Sequence, residues 1–503
     1  MTDVLLGSSY LLRLDPKVWR ARQPGAPLGT LIAAALLRER GHRVALFDAV
    51  LARGVHEWDA ALARERPRFA VLFEDNFSYL SKMCLLRMRE AAFAMIAAAR
   101  ARGATVIAAG ADASDHAGDY LARGADWVLV GEGDATLVEL VDRLAGRTAV
   151  PLESIAGLAS PAGRTPPRPP LADLDALPLP AWDLVDVERY RGIWRRRHGF
   201  FSMGLATTRG CPYHCNWCAK PIWGQRYAVR SPEGVAAEIA WLRERFAPDH
   251  LTFADDIFGL RPGWLPRFAA LMERDPLPFK CLSRADLLLR PGEVAALARA
   301  GARTVWLGAE SGSQRILDAM EKGTTVGQIA EATARLRAAG LRVGWFLQFG
   351  YPGETREELE ATRRMVREHD PDELGISVSY PLPGTRFFEA VRDQLGARRN
   401  WVDSDDLAMM FRGPFPTAFY RKVHALTHRE LKLRRGLREL RAAGRRPASL
   451  RPRHLRLAAA TAVRWARLPA DRRHLERLAA RPHDGTLPFR PGMPRAMAAT
   501  PAE

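Results

Sequence analysis

The sequence predicts an α/β protein with two parallel sheets in succession: a doubly wound sheet, then a whole or partial βα barrel, then a basic, mostly helical C-terminal region. Three observations carry this. Short apolar runs alternate with helix-period patterns through residues 1–145 and again through 201–380, and such alternation builds parallel sheets covered by helices. A proline-dense stretch separates the two series, and that density suits an extended linker rather than a helix or central strand. After Pro414 the chain becomes Arg-rich with helical spacing, and it loses pattern beyond Pro482.

In the first series the strands read Val4 to Leu6, Val44 to Phe47, Phe69 to Phe73, Thr105 to Ala109 and Trp127 to Val130. Helices fill Leu28 to Arg40 and Met88 to Arg102. The strands end on small or polar residues: Gly7-Ser8-Ser9, Asp48, Glu74-Asp75-Asn76, Gly110 and Gly131-Glu132-Gly133-Asp134. Ligands of such sheets bind beyond the carboxyl ends of the strands, where these residues lie. In the second series the strands read Met203 to Thr207, Leu251 to Ala254, Phe279 to Ser283, Val305 to Ala309, Val343 to Phe349 and Leu374 to Val378. Barrels carry their functional groups at the carboxyl ends of strands. Those ends hold Asp256, Arg284, Glu310 with Ser311, and Gly350. The expected divisions are 1–148, a linker over 149–198, a barrel over 199–412 and a basic region over 413–503.

Composition narrows the class. Hydrophobic residues make up 47% and charged residues 26%, as in soluble globular proteins. No apolar run is long enough to span a membrane, and Asp3 stands where a secretory leader would be basic. The expected location is the cytoplasm. The net charge is +18, which raises nucleic acid or anionic membrane as a partner. The excess is almost entirely arginine, and no RNA-binding motif appears, so nucleic acid is not expected. Leu455 to Leu468 mixes Trp465 and other apolar residues with Arg456, Arg464 and Arg467. It could contact a membrane peripherally or pack as an ordinary amphipathic helix.

Three of the five cysteines fall within Arg209-Gly210-Cys211-Pro212-Tyr213-His214-Cys215-Asn216-Trp217-Cys218. Clustered cysteines in a reducing compartment read as metal ligands. A structural zinc site closes with four ligands. No fourth cysteine lies near, and His214 is the alternative. Three thiolates around a four-iron cube leave one iron open for chemistry. Cys84 and Cys281 read as buried apolar thiols.

Cys-x3-Cys-x2-Cys with aromatic Trp217 before the last cysteine resembles the radical S-adenosylmethionine (SAM) signature. The resemblance implies a [4Fe–4S] cluster on Cys211, Cys215 and Cys218, with SAM chelated by the open iron. It also implies a deoxyadenosyl radical that abstracts hydrogen from the substrate, and an external electron donor such as flavodoxin or ferredoxin. Asp256, Arg284, Glu310 and Ser311 resemble the family's polar SAM contacts. Gly350-Tyr351-Pro352-Gly353-Glu354 resembles its turn near the adenine, and Tyr380 to Thr385 its loop near the substrate pocket.

A front Rossmann-like sheet, a proline linker and a radical SAM barrel together resemble the cobalamin-binding subclass. Pro27-Leu28-Gly29 and Leu177 to Leu184 fit its pattern. The Asp-x-His-x-x-Gly motif that supplies an axial histidine is absent, and His42, His56 and His116 lack its spacing. The resemblance implies cobalamin contacts at Ser8, Ser9, Asn76, Gly110, Gly131, Glu132 and Gly133, with Tyr79 or Leu80 over the lower cobalt face. It implies methylation of an unactivated carbon of a small molecule, a hydrophobic lipid or pigment being one option, held between domains packed face to face. The alternatives are a radical rearrangement or oxidative cyclisation without methyl transfer, as in the anaerobic cyclase of chlorophyll ring formation, and a basic membrane- or nucleic-acid-binding protein.

Overall fold

The computed structural model describes residues 2–83, 85–218, 222–395, 400–445 and 451–480. Cys84 and the patternless end past Pro482 lie outside them. The first five strands are β1 (Val4–Gly7), β2 (Val44–Phe47), β3 (Phe69–Phe73), β4 (Thr105–Ala109) and β5 (Trp127–Leu129). They run parallel in the order 2-1-3-4-5. Apolar residues fill both strand faces. Val4, Leu6, Phe69, Val71 and Ile107 join one core, while Leu5, Ala70, Leu72 and Val106 join another. A parallel sheet covered by helices on both sides demands such continuous runs. In this strand order the connections diverge on either side of β1, so the ligand crevice falls at the carboxyl ends of β1 and β3.

The proline-dense stretch is more structured than an extended linker. Its strands β6 (Leu158–Ser160) and β7 (Gly163–Arg164) add antiparallel to the far edge of the first sheet. Proline is tolerated there because an edge strand leaves some amides unpaired. Val187–His198 then forms a helix, capped by Asp186 accepting from the Arg189 amide.

The second sheet begins with β8 (Ser202–Leu205). A short ribbon of β9 (Thr208–Arg209) and β10 (Ala228–Val229) follows, then β11 (His250–Phe253), β12 (Phe279–Ser283), β13 (Ala302–Glu310), β14 (Arg342–Phe349) and β15 (Glu373–Val378). The order is 15-14-13-12-11-8, all parallel. The barrel is therefore partial, with β8 and β15 at its two edges. Its convex face is sealed: Val305, Leu307, Val343, Trp345 and Leu347 are buried in the main core under helices. Two of those helices, Val326–Ala338 and Arg356–His369, start at capping boxes on Thr325 and Thr355.

The main core crosses between the sheets. Leu28, Leu31, Phe77 and Met83 of the front unit share it with Trp182, Trp194 and the barrel. The Leu86 amide donates to Trp401 O, and the Ser404 hydroxyl to Asp15, at 2.8 and 2.7 Å. The two units are thus packed against each other through a shared core. At the C-terminal end the helices Thr417–Gly444 and Pro452–Ala479 touch at Gly436, where any Cβ would stand 2.4 Å from Thr461 Oγ1. Glu430 binds Arg363 and Arg472 and ties this pair to the barrel. No helix among the described residues is long and apolar enough to cross a membrane.

Candidate cluster and cofactor site

The cysteine loop leaves the mouth of the barrel between β9 and β10. Its entry is fixed by Asp255, which accepts from the Thr207 amide and hydroxyl and the Thr208 amide at 2.7–2.8 Å. Burial raises that carboxyl to about 6, against the pull of these bonds. Gly210 sits at φ +83°, and a Cβ there would be 2.1 Å from Arg226 O. Only glycine fits this approach.

The loop is then clamped from both sides. Cys211 and Tyr213 pack on Ile257, Leu260 and Leu287, and the Arg284 guanidinium lies 3.5 Å from the centre of the Tyr213 ring. On the other side Trp217 packs with Ile316, Met320, Tyr351 and Phe387. Asn216 is the anchor. Its amide donates to Met320 O, its side chain to Ala319 O, and its Oδ1 accepts from Tyr351. His214 points to solvent, so it is not gathered with the thiols.

Cys211, Cys215 and Cys218 are free and partly buried. Among the described residues no three His, Cys, Asp or Glu side chains converge tightly enough to hold a single metal ion. The donor set instead suits a multi-iron cluster, whose thiolates bind different irons. Burial pushes the Cys218 and Cys211 thiols up, and Asp256 pushes both further. Ligation must therefore displace protons.

The expected SAM contacts surround this loop, several of them already paired. Asp256 Oδ1 accepts from Lys82 at 2.8 Å, while its buried Oδ2 has no partner. Glu310 is a buried non-glycine residue at φ +55°, and its Oε1 accepts from Lys322 at 2.9 Å. Such backbone is costly and concentrates at functional sites. Burial opposes the Lys322 charge, but Glu310 and Cys215 hold its pKa above the ordinary value. Arg284 pairs with Asp286 and donates to Lys322 O. Ser311 is fully buried on Thr362 and Ser313 and does not face the mouth. Gly350 donates to Glu354 at 2.6 Å and is crowded by Met409 and Tyr420. Pro352 follows in the same partly exposed turn.

The front sheet's residues divide. At the β1/β3 crevice Ser8 and Ser9 are buried, and the Ser9 amide donates to Glu74 at 2.7 Å. Gly110 lets Glu74 approach, since a Cβ would stand 2.6 Å from Glu74 Cβ. Burial raises the Glu74 carboxyl to about 7. Tyr10 Oη, Glu74 Oε2, Asn76 Oδ1 and Ser81 Oγ are buried without partners. The loop after β5 does other work. Glu132 and Asp134 both bind Arg209, two residues before Cys211. Gly131 donates to Ser114, and Gly133 takes φ +86° at the helix start. No histidine is presented to the crevice from the three singled out. His42 is bound to Asp142, His116 lies beside Asp112, and His56 is exposed.

Tyr79 joins the two halves. Its side chain is 49% exposed, yet it lies near Cys218, Glu310, Tyr380 and Asp256.

Sequence reasoning missed Lys82, Lys322 and Arg209. Their partners lie 174, 12 and 77 residues away, so no local pattern marks them. A compositional signal does exist: only seven of the 75 basic residues are lysine. In such a chain each lysine stands out.

Residues 205–366 match the model of the Radical SAM superfamily. The chain is 32% identical over 284 residues to an uncharacterised methyltransferase of Pyrococcus horikoshii, covering 55% of this chain and 60% of that one. It is 29% identical over 280 residues to the anaerobic magnesium-protoporphyrin IX monomethyl ester cyclase of Rubrivivax gelatinosus, covering 54% and 50%. It thus spans about half the length of the curated relatives it matches. Its fold is similar to the radical SAM methyltransferase TsrM from Kitasatospora setae (TM-score 0.63, 20% identity, 78% of this chain and 75% of that one). It is also similar to the cobalamin-dependent radical enzyme OxsB (TM-score 0.65, 15% identity, 95% and 72%).

Proposed function

We propose, from the premise that this chain carries a radical SAM domain over residues 205–366, that it is a cobalamin-dependent radical SAM enzyme that methylates an unactivated carbon of a small molecule. One observation carries the reading. The segment after β3 meets the three-thiol loop: Tyr79 lies near Cys218, Glu310 and Asp256, and Lys82 pairs with Asp256 at 2.8 Å. When bound, a [4Fe–4S] cluster with SAM supplies radical hydrogen abstraction, and cobalamin supplies a methyl group.

The protein's own residues position and protect that chemistry. Cys211, Cys215 and Cys218 would hold three irons; burial raises the Cys211 and Cys218 thiols, and against it the Arg284 charge favours the Cys211 thiolate and the Lys322 charge the Cys218 thiolate. The Lys82–Asp256 and Lys322–Glu310 pairs offer an ammonium and a carboxylate each. The zwitterionic end of SAM fits by exchanging partners with them. Trp217 and the anchored Asn216 keep the loop still and exclude water. Tyr10, Glu74 and Asn76 carry unpaired polar atoms that would hold an amide-rich ligand in the crevice.

The cyclase relatives favour one second reading, oxidative cyclisation. A product heavier by one methyl group and a product lighter by lost hydrogens are separated by a single mass spectrum. Either chemistry draws its electron from an external donor such as flavodoxin or ferredoxin. Peripheral membrane contact finds support in Leu455, Val463 and Trp465, exposed beside Arg456 and Arg467. Unchanged liposome flotation without residues 413–503 removes that part.

The deciding experiment is metal analysis of the protein purified anaerobically from cobalamin-fed cells. About four iron and about one cobalt per chain are expected. Iron without cobalt, even after reconstitution, removes the cobalamin half; neither metal removes the whole.

A further inference from the structure

The concave face of the barrel carries an aromatic shelf that the cluster chemistry does not use. Phe346 is 39% exposed on β14, while its neighbours Trp345 and Leu347 are buried on the convex side. It stacks on Trp306 of β13 with ring centres 4.5 Å apart and planes 29° apart. Two glycines make room. A Cβ at Gly344 would stand 2.4 Å from the Trp306 ring, and one at Gly375 2.9 Å from Phe346. Glycine weakens a strand interior and marks close approach. Here it lets two rings lie flat along the sheet, with the outer ring bare.

Gly375 also borders a second feature. Against edge strand β15 lies a cavity of about 550 Å³ between the helix Pro16–Ala21 and the C-terminal helices. Lys17, Arg20, His424, His428, Lys432 and Arg464 line it. Among the described residues that line it, the one carboxylate is Asp405, which is taken up by Arg20 at 2.8 Å. Arginine-rich composition does not account for Lys17 and Lys432, two of the chain's seven lysines. Burial, followed by Lys17, holds His424 down at about 4, and burial with His424 and Lys432 holds His428 at about 3. Both rings stay neutral and the net field is positive.

We propose that the substrate is a planar, largely apolar molecule with an anionic group. Its flat body lies on Phe346 inside the barrel, and its carboxylate, sulfonate or phosphate sits in the cationic cavity beside β15. This deepens the reading above and rests on it for the chemistry, but not for the binding.

The test is fluorescence titration of the full chain, without added cofactors, with pyrene-1-sulfonate and with uncharged pyrenemethanol as probes. Saturable binding of about one pyrenesulfonate per chain is expected. Lys17→Gln/Lys432→Gln should weaken pyrenesulfonate about tenfold and leave pyrenemethanol unchanged. Phe346→Ala should weaken both. Equal affinity for the two probes, or insensitivity of pyrenesulfonate to the lysine pair, overturns the anionic half. Insensitivity of both probes to Phe346→Ala overturns the shelf. If Phe346→Ala is unfolded by circular dichroism, Phe346→Leu, which keeps volume and removes the ring, replaces it with the same expected loss. Because no cluster is needed, failure of this titration leaves the metal analysis standing, and failure of iron loading leaves the titration standing.

Discussion

The two parallel sheets differ in what covers them. In the front sheet every residue of β1 and β3 is buried, because helices close both faces. In the barrel, β12 alternates buried with partly exposed residues, and β14 leaves Phe346 bare between buried neighbours. A parallel sheet is ordinarily covered on both sides. The front sheet therefore has room for a ligand only at its edge, in the loops after β1 and β3. The barrel leaves part of one of its own sheet faces open at Phe346. One chain thus combines a sheet open only at its edge with a sheet open on a face, and Tyr79 of the first lies near Cys218 and Glu310 of the second.

The largest expected effect separates the two sites. Cys211→Ala, Cys215→Ala and Cys218→Ala, singly or together, should drop iron to background and abolish SAM cleavage. Cobalt content should stay near that of the unaltered chain, because the crevice lies in another sheet. Loss of cobalt together with iron would mean that the sites are one.

Next comes a contrast between neighbours on β14. Trp345→Ala removes a fully buried ring that donates to Thr333, and should cost about 3–5 kcal/mol in urea unfolding. Phe346→Ala removes a half-bare ring and should cost about 1 kcal/mol, its stacking on Trp306. Equal costs would show that the concave face is core after all.

The joint between the sheets is tested by Arg209→Met. Arg209 is buried, and its removal leaves Glu132 and Asp134 without their shared cation. A loss of about 3 kcal/mol is expected. Glu132→Gln introduced alongside should recover part of it, since one unpaired charge is then gone. Additive losses in the double variant would argue against a shared pair.

Much of the architecture was legible in the sequence. Phe69 to Phe73 and Thr105 to Ala109 read as strands because continuous apolar runs have one stable place, a doubly covered sheet. The cysteine loop was legible because its spacing is local. The hairpin at Leu158 to Arg164 was not, because proline weighs against strands everywhere except at an edge, and edges are set by tertiary order. Lys82 was hidden for a similar reason: its meaning comes from Asp256, which only the folded interface brings near. Glu132 read as a crevice residue from its place after a strand, yet it turns to Arg209 because a buried cation there needs it.

The last effect is read against pH and concerns the turn after β14. Burial raises the Glu354 carboxyl from its ordinary 4.5 to about 8. One oxygen accepts from the Gly350 amide and the other has no partner. Between these two values the folded chain holds a proton that the unfolded chain has released. The stabilisation is thus complete below about pH 4.5 and is lost as pH rises through about 8, at up to about 1.4 kcal/mol per pH unit. Glu354→Gln stays neutral and still accepts from Gly350. Thermal melts of both chains from pH 5 to 9, without SAM, should converge at the acid end. The unaltered chain should fall progressively below the variant towards pH 8. Parallel curves would mean that Glu354 is ionised in the fold, and that the turn tolerates a charge at a residue 1% exposed.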